Sequence, residues 1–204
     1  MNRSLSGIGL IGAAVTTLTG IAVEAFVKPA STISDQQWSY PWSAGALVPV
    51  SVAYAVLHLL VFLGMVALFR ALTSRGGRIG AAIAGAGTLV LLIAELLSMP
   101  IADRRLTDTG PKVVGALFGA GVALTAIGLL VAGVVVLRSW TGWQRYAAIV
   151  AGGWAVVMIG LSTTSALPLG VAIYGVALCV LFAAVRTHDS RPAPEPRIRT
   201  RVES

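Results

Sequence analysis

Three ionisable side chains, Glu24, His58 and Glu95, stand inside stretches that are otherwise apolar. A charge at the centre of a lipid-spanning helix costs roughly 2.5–3.5 kcal/mol on insertion scales, so such residues are functional candidates by default. The two glutamates share a plan. Gly7 to Pro29 overlays Arg78 to Pro100 without a gap, and Ile8, Gly9, Thr17, Leu18, Glu24 and Pro29 recur 71 positions later as Ile79, Gly80, Thr88, Leu89, Glu95 and Pro100. Each glutamate lies five residues before a proline, about 7 Å below the end of its helix at 1.5 Å per residue. One reading makes both of them interfacial acids that pair with Lys28, Arg104 or Lys112. The other turns both into one outer cavity, where the mutual repulsion of two carboxylates suits a cation or an amine. Aligning Pro168 with the two earlier prolines puts Thr163 in the third equivalent place, within Ser162-Thr163-Thr164-Ser165. Those hydroxyls either complete the ring of polar groups or satisfy backbone at a helix break.

His58 lies deeper, about 18 Å along its span. A neutral imidazole is satisfied there by one hydrogen bond to a neighbouring helix; alternatively it accepts a proton, since its ordinary pKa lies near physiological pH. Tyr54, one turn away on the same helix face, extends the polar track. The first outer loop carries Trp38, Tyr40 and Trp42 around Pro41. These rings fit an interfacial aromatic belt, or a lid over a bundle cavity, because loops of this length tend to be functional or disordered.

The chain must supply helices to hold these groups. It has 204 residues, of which 56% are hydrophobic and 11% charged, against about 25% charged in soluble domains. That balance cannot cover a water-facing surface, so the expectation is an all-α polytopic membrane bundle. Six segments reach spanning length: Leu5–Val27, Ala46–Phe69, Ile79–Met99, Val113–Leu137, Tyr146–Ser162 and Leu167–Val185. The boundary between the last two is soft, and five spans with one broken helix is the competing count. The N-terminal run is read as a retained helix rather than a cleaved signal, because it is long for a signal core and ends in a carboxylate.

Lysine and arginine are unevenly distributed. Eleven fall beside one set of helix ends or in the tail (Arg3, Arg70, Arg75, Arg78, Arg138, Arg145, Arg186 and four tail arginines) and four on the other side (Lys28, Arg104, Arg105 and Lys112). The positive-inside rule then puts both termini in the cytoplasm, and the net charge of +7 reports topology rather than nucleic-acid binding. Each hairpin enters after a basic residue and leaves through an apolar-Arg end, so the six helices read as three parallel-repeat hairpins. Residues 1–186 form the transmembrane domain. Residues 187–204, rich in proline and charge, form a disordered cytoplasmic tail.

Several chemistries lack their residues. Cys179 is the single cysteine, so no intrachain disulfide or cysteine metal pair can form. There is no phosphate-binding loop, nucleophile elbow or metal-spaced histidine pair. No cofactor or metal is therefore expected, and no enzyme activity can be assigned. The expected partners are membrane lipid, a small-molecule ligand, and a second copy or another membrane protein packed on glycine-rich faces such as Gly115-x-x-x-Gly119.

The size, the six spans, the long first outer loop and the stretch Asp35 to Pro41 (DQQWSYP) entering the second helix resemble small bacterial six-span membrane proteins grouped as domains of unknown function. The resemblance implies a helical bundle in a bacterial inner membrane and carries no activity with it. The leading expectation is a protein that binds or translocates a small cationic or amphipathic ligand, or lipid, from an outward-open cavity through Glu24, Glu95, His58, Tyr54, Thr163, Trp38 and Trp42. The alternative is an accessory subunit that packs on partner helices. A membrane enzyme using glutamate and histidine as acid and base is the weakest of the three.

The orientation has a direct check. A cysteine at Thr107 should react with a membrane-impermeant thiol reagent in intact cells, and one at Ser74 should not. Labelling of the Ser74 position alone would overturn the assignment.

Overall fold

The computed structural model describes residues 2–161 and 166–188. Six helices in this part are long and apolar enough to cross a membrane: α1 (Asn2–Ala30), α2 (Ala44–Ala71), α3 (Arg75–Ile101), α4 (Thr109–Ser139), α5 (Gly142–Leu161) and α6 (Leu167–His188). Most reach beyond their expected ends, because the turns flanking an apolar run keep their backbone hydrogen bonds and find caps. Ser43 Oγ accepts from Ala46 N (3.3 Å) at the start of α2, and Ser74 Oγ accepts from Gly77 N (3.1 Å) at the start of α3, which satisfies amides that no helix carbonyl reaches. Trp154 of α5 donates its indole N–H to Gly170 O of α6 (2.9 Å). The two helices therefore lie side by side as a hairpin and not end to end as one broken rod. The Ser162 to Ser165 link between them, with Thr163, lies outside the described residues.

The helices form a closed ring. Each packs on its neighbours in sequence, and α6 returns to pack on α1. Two crossings bring backbones into near contact. In the first, a Cβ on Gly87 of α3 would lie 2.5 Å from Thr125 N and 2.7 Å from Gly121 O of α4, and one on Gly128 would lie 2.6 Å from Gly80 O. In the second, a Cβ on Gly175 of α6 would lie 2.7 Å from Thr17 N and 2.8 Å from Ala13 O of α1, and one on Gly20 would lie 2.7 Å from Ala172 N and Pro168 O. The two crossings match residue for residue. Each uses a threonine whose hydroxyl donates back to the carbonyl four residues earlier, Thr125 to Gly121 (2.8 Å) and Thr17 to Ala13 (3.0 Å). The threonine presents its side to a glycine and keeps its own hydroxyl satisfied.

The ring is filled at the end where α2 and α4 finish. Phe182 of α6 is fully buried, and its ring occupies the space above Gly64 and beside Gly9, where Cβ atoms would lie 2.5 Å and 3.1 Å from it. Met65, Leu68, Leu129 and Leu181 complete this dry core. The same end is closed by Gln144 Nε2 donating to Thr187 Oγ1 (2.7 Å) and by His188 stacked on Trp140 at 4.3 Å and 15°. Thr187 and His188 thus belong to α6 and not to the tail, whose residues from 189 lie outside the described part.

The outside of the ring is apolar on every helix, with Ile11, Leu18, Val52, Ile93, Ile127 and Val176 among its exposed side chains. Gly119 has open space where a Cβ would stand, and Gly115 has only the edge of Trp38 at 3.9 Å. The Gly115-x-x-x-Gly119 pair therefore makes no helix crossing within the chain. Gly87, Gly128, Gly20 and Gly175 do so instead, because their faces turn inward.

Substitutions should separate the two classes. Gly128→Ala and Gly20→Ala should each destabilise the purified protein by about 1–3 kcal/mol, since backbone atoms cannot yield to the added methyl. Gly119→Ala should be neutral, or stabilising by up to about 1 kcal/mol from helix propensity. Thermal melting in detergent reads both.

Candidate functional site

Glu95 lies near the C-terminal end of α3, on the face that also carries Thr88, Leu91 and Ser98, all three buried. Steps of three and four residues keep these side chains on one side of the helix. α3 packs on both α2 and α4, and Leu91 of this face lies against Gly121 of α4. The Glu95 carboxylate sits within electrostatic range of the Tyr54 phenol. Among the described residues it makes no ion pair and no hydrogen bond.

Tyr54 and His58 stand one turn apart on α2. His58 Nδ1 meets Tyr54 O at 2.8 Å. Because a carbonyl only accepts, Nδ1 carries the proton, and in the neutral ring Nε2 is left as the acceptor. Ser51, one turn outward of Tyr54, is fully buried, and its hydroxyl has no partner. The polar side of α2 thus reads Ser51, Tyr54, His58 from its N-terminal end onward. Sequence reasoning missed Ser51, because a serine in an apolar span ordinarily bonds its own helix, as Ser98 does to Ala94 O at 3.0 Å. It also missed Tyr174 of α6, whose hydroxyl is enclosed and unpartnered.

Glu24 has a different fate. Pro29 lacks the amide that would continue the α-helical ladder, and Val23–Val27 forms a π turn in which Lys28 N–H donates to Val23 O, five residues back. Residues four apart are neighbours on a helix surface. Lys28 Nζ accordingly donates to both Glu24 oxygens, at 2.8 and 3.0 Å. Glu24 is neutralised on its own helix, α2 stands between α1 and α3, and no hydrogen bond joins the two glutamates. The structure sets Glu95 within electrostatic range of Tyr54, places His58 one turn from Tyr54, and leaves Glu24 with Lys28.

The α1–α2 and α3–α4 loops form one cap. Trp38 N–H donates to Arg104 O (2.9 Å) and Leu106 N–H to Gln36 O (2.9 Å), an antiparallel bridge centred on Gln37 and Arg105. The Trp38 ring packs on Phe118 of α4 at 6.2 Å, so it spans from α2's own loop to the far side of α3. Trp42 is half-buried and closes a turn by donating its N–H to Ser39 O (2.7 Å). An open polar hollow of about 530 Å³ lies under the bridge, lined by Ser34, Gln36, Gln37, Asp103, Arg105 and Thr107.

An unpaired carboxylate near a phenol, with an imidazole one turn further along the phenol's helix, can attract a cation or accept from an amine. No metal-holding group of three or more His, Cys, Asp or Glu side chains is present among the described residues. Comparison with protein-family models, with curated proteins and with solved structures finds no match for this chain.

Proposed function

We propose that this chain is an integral membrane protein that binds or translocates a small cationic or amphipathic ligand, lipid included, entering from the outer end, with both termini cytoplasmic. The observation that carries this reading is Glu95. A carboxylate without a partner in an apolar wall is costly, and a positively charged ligand group would supply what the protein leaves out. Tyr54 and His58 supply a hydroxyl and a ring nitrogen deeper along the same path. The direction of entry is supported by Phe182 and its neighbours, which pack the opposite end without space for a solute. The three-hairpin repeat is supported by the side-by-side packing of α1 with α2, α3 with α4 and α5 with α6. The two matched glycine crossings follow another relation, since one lies within a hairpin and the other between the first and last.

A second reading, an accessory subunit, is favoured by Gly119, whose outward side is open to the close approach of another helix. The two readings separate experimentally by whether purified protein alone binds a cation.

With tetraphenylphosphonium as probe, Glu95→Gln should weaken binding at least tenfold and raise the melting temperature, because the amide removes an uncompensated charge. Glu24→Gln should leave binding within about twofold, since that charge is already met by Lys28. Equal binding by wild type and Glu95→Gln would remove the site. Failure of wild type to bind, with capture of a second membrane protein through α4, would favour the accessory reading.

A further inference from the structure

At the end of the bundle opposite Glu95, a groove of about 270 Å³ opens between the finish of α2 and the start of α3, lined by Phe69, Thr73, Arg75, Arg78, Ile79 and Ala82. Its two ends differ in chemistry. Arg75, Arg78 and Thr73 form a polar head, while Phe69 and Ile79, 39% and 48% exposed, continue it as an apolar wall along the outside of the ring. Arg78 is held in place: its Nε donates to Leu72 O at 2.8 Å, and its guanidinium lies over the Phe69 ring at 5.7 Å. That leaves its two terminal nitrogens for another acceptor. Arg75 has no ion pair among the described residues.

Among the described residues these arginines meet no counter-charge. Every Asp and Glu of the described residues (Glu24, Asp35, Glu95, Asp103 and Asp108) belongs to the outer loops or to a helix's outer part. Both arginines also stand in the first turn of α3, which carries no acidic residue and where the helix dipole already favours an anion. We propose that this groove binds one anionic phospholipid, its phosphate between Arg75, Arg78 and Thr73 and an acyl chain along Phe69, Ile79 and Ala82. The apolar wall is the reason to choose a lipid over free phosphate, since a small anion leaves that surface uncovered. The site is independent of Glu95 and of the ligand assigned to it.

The test offers purified protein equal amounts of phosphatidylglycerol and phosphatidylcholine in mixed micelles and counts retained lipid by native mass spectrometry. Wild type should retain phosphatidylglycerol several-fold over phosphatidylcholine. Arg75→Gln should reduce that retention about fivefold, the equivalent of roughly 1 kcal/mol per basic residue near a headgroup, with the melting temperature of lipid-free protein unchanged. Arg145→Gln, an arginine at the same end but outside the groove, should retain the wild-type preference. An equal loss in both variants would show a diffuse surface charge and overturn the site. Displacement of the lipid by millimolar inorganic phosphate would overturn the choice of a lipid. Unchanged retention in Arg75→Gln would overturn the proposal outright.

Discussion

The ring depends on backbone reaching backbone at two places, Gly87 and Gly128 against α4 and α3, and Gly20 and Gly175 against α6 and α1. Helices surrounded by apolar solvent gain little from burying leucine, since lipid tails are as apolar as the side chain. Close packing of small residues must supply the attraction instead. The α1/α6 crossing also closes the ring. Without it Phe182 would lose the floor made by Gly9 and Gly64, and the packed end would have no centre.

Closing one end concentrates the polar groups at the other. Buried hydroxyls of the ring are mostly self-satisfied through the carbonyl four residues back, as in Thr88, Ser98 and Thr125. They cost little and offer little to a ligand. Ser51 and Tyr174 are exceptions, and an unpaired polar group in a low-dielectric interior is what a binding site retains and a structural core eliminates. The contrast between the glutamates makes the same point. They occupy equivalent places in the overlay, yet one is satisfied by a lysine four residues on and the other meets a neighbouring helix.

Charge is segregated along the bundle as well. The described carboxylates lie toward one end and most of the arginines toward the other; pairs among the described residues include Lys28 with Glu24, and Arg104 near Asp103 at 3.9 Å. An exposed pair such as the second contributes little. Among the described residues the arginine-bearing rim carries no carboxylate.

The sequence by itself determined the all-helical class, the six long apolar helices, their approximate extents and the three ionisable residues within them. Those properties follow from length and hydropathy, which are local. It also placed Tyr54 with His58, because residues four apart share a helix face whatever surrounds them. The tertiary structure decided which polar groups meet. The 71-residue overlay paired Glu24 with Glu95, but α2 lies between their helices, and the π turn before Pro29 delivers Lys28 to Glu24 first. Likewise Gly115-x-x-x-Gly119 has the sequence form of a helix contact and makes none within the chain, whereas Gly128 and Gly175 carry the crossings. Which face of a helix turns inward depends on all its neighbours at once, and spacing along one strand of sequence cannot express that.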